Sequence, residues 1–186
     1  MAENVDKGLL DEDLYDDEED AQKDKFLTFC VGKEDYGIDI RYVTEIIGIQ
    51  KITQVPDMPE FVKGVINLRG KVIPVMDVRT RFGLEPREYD DRTCIMVVDI
   101  NDLAIGLVVD TVCEVMDIPE SHIEPPPRTG NKVKSRYIKG MGKVGEGVKI
   151  LLDVNKLLFE DELMQMTTEQ AEIIDKPAKK GVYRNV

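Results

Sequence analysis

The chain has 186 residues, of which 42% are hydrophobic and 33% charged, and this composition supports an ordinary soluble core. Its formal net charge is −12, but residues 1–20 hold ten acidic side chains and one basic one, so only −3 falls on the rest of the chain. A nearly neutral body with 6% aromatic residues and no tryptophan argues against a surface that binds nucleic acid or anionic lipid.

The sequence also lacks signals for secretion or membrane insertion. The N-terminus is acidic and has no apolar segment, so we expect no signal peptide, and no apolar run approaches the ~20 residues of a membrane helix. Three cysteines without a CxxC spacing lie in apolar, strand-like runs, at Cys30, Cys94 and Cys113. This pattern indicates reduced, buried side chains in a cytoplasmic protein.

The first half of the chain is predicted to form short strands. Residues 1–24 are highly charged and are expected to be a disordered acidic tail. The runs FLTFCVG and YGIDI predict two strands, and the helical spacing of Ile40, Val43 and Ile46/Ile47 predicts a short helix after them. VINL and KVIPVM predict a hairpin around Arg69 and Gly70, with a positive φ at Gly70. Pro74 places its strand at a sheet edge or a bulge, and Asp77 is expected to cap a short helix.

The second half follows the same plan. CIMVVDI and LAIGLVV predict two strands joined by a tight turn at Asn101 and Asp102. After a long proline-rich loop over residues 119–135, GMGKV and VKILL predict another hairpin, followed by a helix capped by Asp153. Residues 161–175 have an apolar face that predicts a C-terminal helix, and the basic segment after them is expected to be frayed.

A sequence repeat relates the two halves. FVKGVINLRGKVIPVMDVR (residues 61–79) and YIKGMGKVGEGVKILLDVN (residues 137–155) align without a gap at a shift of 76. At a shift of 69, the matching pairs are Gly37 with Gly106, Val43 with Val112, Glu45 with Glu114, and Ile46 with Val115. The repeat predicts two similar units, at about 25–86 and 87–160, and we expect two small β-barrels packed together. The segment NLRG at residues 67–70 differs between the copies and is therefore the first candidate for function.

Reactive groups are scarce in the sequence. His122 is the sole histidine, and the adjacent Ser121 cannot place its hydroxyl against that imidazole as a catalytic triad requires. Residues 140–145 match GxGxxG, but a predicted strand follows them where a dinucleotide site needs a helix. The polar residues 99–102 predict a turn rather than a calcium loop. We therefore expect no enzyme, no cofactor and no metal site.

Two features favour a binding function. Arg69 at a hairpin tip can present a guanidinium that forks onto a carboxylate of a partner, and simple solvation is its alternative role. A groove shared by the two units can receive an apolar helix, with Val43 and Val112 as its lining, and ordinary core is the alternative role of both valines. A small barrel that binds nucleic acid is an alternative from another class, which the nearly neutral charge opposes.

The runs DYGIDIRYVTEIIG, FVKGVINLRGKVIPVMDVR and IGLVVDTVCEV, in that order, resemble the CheW family of bacterial chemotaxis coupling proteins. The resemblance covers roughly residues 25–160. CheW-like domains occur as free coupling proteins, as the regulatory domain of CheA-type histidine kinases and as half of CheV-type proteins. Because the chain has neither a kinase ATP-binding region nor room for a receiver domain, it is most similar to a stand-alone CheW, with a CheV-like or kinase-derived module as the alternative.

The resemblance implies a fold and a function. The fold would be mainly β, with two small SH3-like five-stranded β-barrels packed together, short helices, and a C-terminal helix and tail over residues 161–186. The protein would be a non-catalytic, cytoplasmic adaptor, recruited to membrane-associated chemoreceptor arrays without inserting into the membrane. Its partners would be the cytoplasmic tip of methyl-accepting chemotaxis receptors and the regulatory domain of a CheA-type histidine kinase, and the free protein would be a monomer.

The resemblance also implies a protein-binding site. The NLRG motif places a functional arginine at Arg69, beside Asn67 and Gly70. The groove for the receptor helical hairpin would be lined by Val43, Glu45, Gly64, Gly106 and Val112, with Cys94 and Ile95 nearby. Cys94 departs from the branched apolar residue that is common at its place.

Overall fold

The computed structural model describes residues 21–127 and 136–157. Its strands are β1 (Lys25–Val31), β2 (Glu34–Asp39), β3 (Val43–Gly48), β4 (Val62–Leu68), β5 (Lys71–Asp77), β6 (Cys94–Ile100), β7 (Leu103–Val109), β8 (Thr111–Asp117), β9 (Ile123–Glu124), β10 (Ile138–Val144) and β11 (Gly147–Leu152). Helix α1 spans Val78–Arg81, and 3-10 turns span Ile40–Tyr42, Glu120–His122 and Val154–Lys156. The protein is therefore mainly β, as the sequence predicts.

The strands form two sheets. The six-stranded sheet has the order β8-β1-β2-β11-β10-β9, and the five-stranded sheet has the order β3-β6-β7-β5-β4. Neighbouring strands are antiparallel except for two parallel pairs, β2 with β11 and β5 with β7. Within the described ranges, neither set of hydrogen-bonded strands closes into a complete ring.

The two sequence repeats exchange strands between these sheets. Each sheet takes its first hairpin from one repeat, β1-β2 or β6-β7, and the strands around that hairpin from the other repeat. The parallel pairs make this exchange at equivalent places, because Leu151 lies opposite Gly37 and Val75 lies opposite Gly106. The division at about residue 86 therefore describes the repeat in the sequence, and it does not separate one sheet from the other.

Apolar side chains fill three regions. The largest cluster includes residues of both sheets, among them Phe29, Ile38, Met96 and Leu107, and so holds the sheets together. Each sheet also encloses a smaller cluster, one around Ile95 and one formed by Phe26, Ile118 and Leu151. Each sheet is thus apolar on both faces, as in a small barrel.

The predicted helix over residues 40–47 is wrong. Only Ile40–Tyr42 form a 3-10 turn, which Asp39 caps by accepting a hydrogen bond from the Arg41 N–H at 3.0 Å. The residues that follow form β3, which pairs with β6. A bulge between Val43 and Glu45 breaks the two-residue alternation of the strand, and so apolar residues recur at a spacing that resembles a helix.

Of the two places predicted for Pro74, the sheet edge is wrong, whereas a bulge of the β4–β5 pair lies opposite Val75 and Met76, directly after Pro74. Strand β5 lies inside the sheet, between β4 and β7. Pro74 is opposite Val65 of β4, whereas the parallel pairing with β7 includes Val75, Met76 and Asp77 only. Pro74, which has no N–H to donate, thus lies just before the residues of β5 that pair with β7. At that position it removes no hydrogen bond between β5 and β7.

The predicted turns and caps are confirmed. Asn101 and Asp102 both have positive φ, at 51° and 64°, as a two-residue hairpin turn requires. Asp77 accepts a hydrogen bond from Thr80 N–H at 3.2 Å, and Asp153 accepts one from Asn155 N–H at 3.0 Å. The predictions for residues 1–20, 128–135 and 158–186, which include most of the acidic tail and the C-terminal helix, lie outside the described residues.

Candidate protein-binding site

Arg69 lies at the tip of the β4–β5 hairpin in an uncommon backbone conformation. Leu68 pairs with Lys71, so Arg69 and Gly70 alone form the loop, with φ values of 52° and 85°. The side-chain oxygen of Asn67 accepts a hydrogen bond from the Gly70 N–H at 2.9 Å. A left-handed conformation costs an ordinary residue ~1–2 kcal/mol, and turns of this type favour Asn, Asp or Gly at that position. Arg69 therefore occupies a place that local backbone preference does not favour.

The Arg69 guanidinium is forked onto Glu45. Its Nη1 donates to Oε2 of Glu45 at 3.0 Å, and its Nη2 donates to the other carboxylate oxygen. The Arg69 side chain remains 76% exposed, whereas that of Glu45 is 23% exposed. Glu45 is on β3, which lies at the opposite end of the sheet from β4, so the pair shows that this sheet curls until its ends meet. The turn thus fixes the backbone of Arg69, and Glu45 fixes its guanidinium, while most of the side chain stays open to solvent.

The β10–β11 hairpin has the same left-handed backbone at its tip but no arginine there. The residue equivalent to Arg69 at the repeat shift of 76 is Gly145, at the tip of the β10–β11 hairpin, with a φ of 57°. Gly145 has no side chain to reach Glu114, the equivalent of Glu45. The forked ion pair is therefore a feature of one half of the protein only.

Val43, Val112 and Cys94 are half-buried. Each packs against the large apolar cluster between the sheets, so the core role applies in part, and the groove role stays a prediction. Val43 lies opposite Val98 of β6, and Val112 lies opposite Phe29 of β1. The Cys94 thiol donates to the carbonyl oxygen of Arg92 at 3.2 Å. These residues leave part of their surface open along the junction of the two sheets.

Three of the expected site residues are buried. Ile95 is fully buried inside the five-stranded sheet, so its side chain has no surface to offer a partner. Gly64 and Gly106 are also buried. A Cβ on Gly64 would lie 2.0 Å from the carbonyl oxygen of Thr53, and one on Gly106 would lie 2.8 Å from the Ile95 side chain. Gly64 and Gly106, expected as groove lining, and Ile95, expected nearby, therefore lie beneath the protein surface and not on it.

The structure adds two exposed apolar side chains to the candidates. Ile46 on β3 is 44% exposed, and Val115 on β8 is 50% exposed. β3 and β8 are terminal strands of their sheets, and the two residues are equivalent under the repeat. The repeat pairs them in the sequence, but the helix wrongly predicted over residues 40–47 hid the exposure of Ile46 on a strand.

A partly buried ion pair between Arg79 and Asp110 anchors α1 to the loop that follows β7. Arg79 donates to Asp110 through Nε at 3.3 Å and Nη2 at 2.6 Å, and both side chains are only 15% exposed. Gly32 N–H donates to the same carboxylate at 2.8 Å. Partial burial alone raises the pKa of Asp110, but the hydrogen bonds from Arg79 and Gly32 outweigh it and hold that pKa below its usual value. Arg79 lies in α1, Asp110 directly follows β7, and Gly32 lies in the β1–β2 turn. These hydrogen bonds therefore join all three elements.

The histidine and the serine considered for catalysis lie on the surface. His122 and Ser121 are exposed in a 3-10 turn. Across residues 21–127 and 136–157, the structure contains no group of three or more His, Cys, Asp or Glu side chains that could hold a metal ion. The same part of the chain contains no helix long and apolar enough to cross a membrane. The prediction of buried cysteines is wrong for Cys113, which is exposed on β8, and Cys30 and Cys94 are only half-buried.

Two sheets, between which the sequence repeats exchange strands, define a mainly β protein, and the exposed Arg69 at one hairpin tip is its first candidate for a binding contact. The CheW-like domain model matches residues 25–162. The chain is 38% identical over 139 residues to chemotaxis protein CheW of Klebsiella aerogenes, covering 75% of this chain and 84% of that protein. It is 32% identical over 148 residues to chemotaxis protein CheW of Bacillus subtilis, covering 80% and 95%.

A solved structure agrees with these sequence matches. The crystal structure of the scaffolding protein TtCheW from Thermoanaerobacter tengcongensis is similar with a TM-score of 0.69 and 37% identity, covering 75% of this chain and 94% of that one. The protein described here belongs to the CheW-like family.

Proposed function

We propose that this protein is a non-catalytic chemotaxis adaptor that couples methyl-accepting chemoreceptors to a CheA-type histidine kinase. Its membership of the CheW-like family, among relatives named as chemotaxis proteins and a structural neighbour described as a scaffolding protein, supports an adaptor role. The partners follow from the family resemblance: the cytoplasmic tip of the receptor and the regulatory domain of the kinase. The protein would act in the cytoplasm at receptor arrays, as a monomer when free.

The observation that carries the site is the guanidinium of Arg69 held by Glu45. An exposed ion pair adds only ~0–1 kcal/mol to fold stability, so the pair has little structural value. A guanidinium already fixed in place loses less side-chain freedom when it meets a carboxylate of a partner. We assign Arg69, with Asn67 and Gly70 shaping its turn, to the contact with a partner domain.

A second surface follows the junction of the two sheets. Val43, Val112 and Cys94 leave part of their area exposed there. Ile46 and Val115 add larger exposed apolar areas on the same two strands, β3 and β8. Apolar side chains at a junction suit the apolar face of a helix, and we assign this surface to the helical hairpin of a receptor tip.

The mechanism needs no reaction at the protein itself. A receptor signal can pass through an adaptor only if the adaptor binds the signalling states of receptor or kinase with different affinities. In this proposal the surface around Arg69 holds one partner, and the surface along the sheet junction, which meets it at β3, holds the other. Coupling then depends on the formation of the ternary complex.

Binding measured separately for each partner tests this division of the surface. Titration calorimetry with the kinase regulatory domain and with a soluble receptor fragment is to be run on the wild type, Arg69→Asn and Ile46→Asp. We expect Arg69→Asn to weaken binding of the kinase domain and Ile46→Asp to weaken binding of the receptor fragment. Failure of the wild type to bind either partner would contradict the proposed function.

A further inference from the structure

Two of the three cysteines lie side by side on neighbouring strands. Cys30 on β1 pairs with Thr111 of β8, and Cys113 lies two residues further along β8 on the same face. Their sulfur atoms are 3.4 Å apart. A bulge in this strand pair lies beside Cys113, and the Thr28 hydroxyl fills it by donating to the Glu114 carbonyl at 2.7 Å and accepting from the Glu114 N–H at 3.2 Å.

The two thiols differ in access and in surroundings. Cys113 is exposed, whereas Cys30 is half-buried and donates from its sulfur to Oδ1 of Asp35 at 2.9 Å. Lys149 donates to the other oxygen of Asp35 at 2.6 Å. The hydrogen bond to Asp35, together with burial and the neighbouring Cys113, raises the pKa of Cys30 to about 12. Cys30 therefore retains its proton firmly, and Cys113 is the thiol that meets a solute first.

We propose that Cys113 and Cys30 form a dithiol site that a hydroperoxide oxidises reversibly to an intramolecular disulfide between β8 and β1. The bond requires the sulfur atoms to approach by only about 1.3 Å, from their present separation to the ~2.05 Å of a disulfide. The arrangement occurs once in the protein, because the residues equivalent to Cys113 and Cys30 under the repeat are Thr44 and Asp99. This chemistry does not depend on the proposed adaptor function.

The oxidation has two steps that balance. In the first step, the Cys113 thiol releases its proton, its sulfur attacks one oxygen of hydrogen peroxide, and the O–O bond breaks; Cys113 becomes a sulfenic acid, and the departing hydroxide takes up the released proton to leave as water. In the second step, the Cys30 sulfur attacks the sulfenic sulfur and the S–S bond forms. Asp35 accepts the Cys30 proton through the hydrogen bond it already makes and releases it to solvent, and the departing hydroxide takes up a proton from solvent and leaves as water. Two electrons have moved from the dithiol to the peroxide.

The disulfide would change the edge of a sheet. β8 is the terminal strand of the six-stranded sheet, and the new bond would tie it covalently to β1. Val112, directly before Cys113, belongs to the surface assigned to the receptor. An effect of oxidation on receptor binding rests on that proposed function, whereas formation of the bond does not.

Oxidation of the full chain with stoichiometric hydrogen peroxide tests the proposal. Free thiols are counted by alkylation, and the intact mass is measured before and after treatment. We expect the wild type to fall from three alkylatable thiols to one, with a loss of two hydrogen masses that dithiothreitol reverses. Peptide mapping should place the bond between Cys30 and Cys113. Retention of all three thiols, or a disulfide that joins two chains, would overturn the proposal.

Three serine variants supply the controls. Cys94→Ser is the matched control, because Cys94 is also half-buried but its sulfur hydrogen-bonds to the Arg92 carbonyl oxygen. On oxidation this variant should lose two thiols, as the wild type does. Cys30→Ser should stop at a Cys113 sulfenic acid, which dimedone traps, and Cys113→Ser should form no intramolecular disulfide. A Cys30–Cys94 or Cys94–Cys113 bond in the wild type would contradict the assignment. Far-UV circular dichroism confirms that each variant is folded.

Discussion

Arg69 and Gly145 occupy equivalent positions at the tips of two pseudo-repeated hairpins and share the same left-handed backbone, with φ values of 52° and 57°. The second hairpin has the residue that this backbone favours, whereas the first has an arginine forked onto Glu45. The left-handed backbone at Arg69 costs ~1–2 kcal/mol, although the Arg69 side chain adds little to the core. That asymmetry within a repeated frame is the main structural reason to assign Arg69 a functional contact.

Replacement of Arg69 by asparagine should separate binding from folding. Asparagine tolerates a left-handed backbone but lacks the guanidinium, so the variant loses the contact and relieves the turn. We expect the free energy of unfolding to stay within about 1 kcal/mol of wild type, and affinity for the kinase regulatory domain to fall by ~1–3 kcal/mol. Chemical denaturation and calorimetry measure the two quantities.

The control for this variant is Gly145→Asn. It introduces the same residue into the equivalent turn of the second hairpin, where no guanidinium is lost. Its affinity for the kinase domain should equal that of the wild type. Equal loss of binding in both variants would show that hairpin geometry, and not the Arg69 side chain, determines the contact.

Glu45→Gln should reveal whether the ion pair orients Arg69 for binding. The change removes the charge of the carboxylate but keeps its shape, and an exposed pair of this kind contributes only ~0–1 kcal/mol to stability. If Glu45 holds the guanidinium in place, Glu45→Gln should weaken binding by less than Arg69→Asn does. The double variant should then bind no more weakly than Arg69→Asn alone, and full additivity in this cycle would argue against coupling.

Gly64→Ala should unfold the protein rather than remove a binding contact. Gly64 has a φ of 144°, and an added Cβ would lie 2.0 Å from the carbonyl oxygen of Thr53, where the backbone bridges to Val65. We expect a loss of about 3 kcal/mol or more in the free energy of unfolding. Gly48→Ala is the control, because its Cβ meets no atom within 4 Å, and thermal denaturation of both variants checks the difference.

The Arg79–Asp110 pair should make stability depend on acid pH. The pKa of Asp110 is lower in the folded protein than its usual value, so folding favours the ionised carboxylate. This stabilisation is present above the unfolded pKa of ~3.9 and is lost as the pH falls through the folded pKa. Arg79→Met should cost ~1–3 kcal/mol at neutral pH, because it leaves the partly buried Asp110 carboxylate with only the more distant Arg87 guanidinium, at 3.6 Å.

The same variant should flatten the pH dependence. Urea denaturation of the wild type and Arg79→Met between pH 2 and 7 measures both effects. The gap between the two proteins should narrow as the pH falls below about 4, since Asp110 is then progressively protonated in both. A gap that stays constant with pH would show that packing, and not the ion pair, accounts for the loss.

Local features of the fold were predictable from the sequence. The hairpin turn at Asn101 and Asp102 and the caps at Asp77 and Asp153 depend on neighbouring residues, and all were confirmed. The exchange of strands between the repeats was not predictable by the same means. It depends on parallel pairs such as Leu151 with Gly37, whose partners are far apart in the chain and leave no short-range pattern.

The candidate site was predictable only in part. The departure of residues 67–70 from the repeat pointed to Arg69, and the structure confirms its exposed turn. Its ion pair with Glu45 could not be predicted, because it depends on the curl of the sheet that brings β3 beside the tip of the β4–β5 hairpin. The exposure of Ile46 was missed because a bulge gave a strand the apolar spacing of a helix.

Receptor-dependent kinase activity tests the central claim most directly. Autophosphorylation of a CheA-type kinase is to be measured with chemoreceptor present, in the absence of this protein, with the wild type, and with Arg69→Asn. We predict activation that requires the wild type and is largely lost with the folded Arg69→Asn variant. Kinase activity that is the same with and without the wild-type protein would contradict the adaptor function.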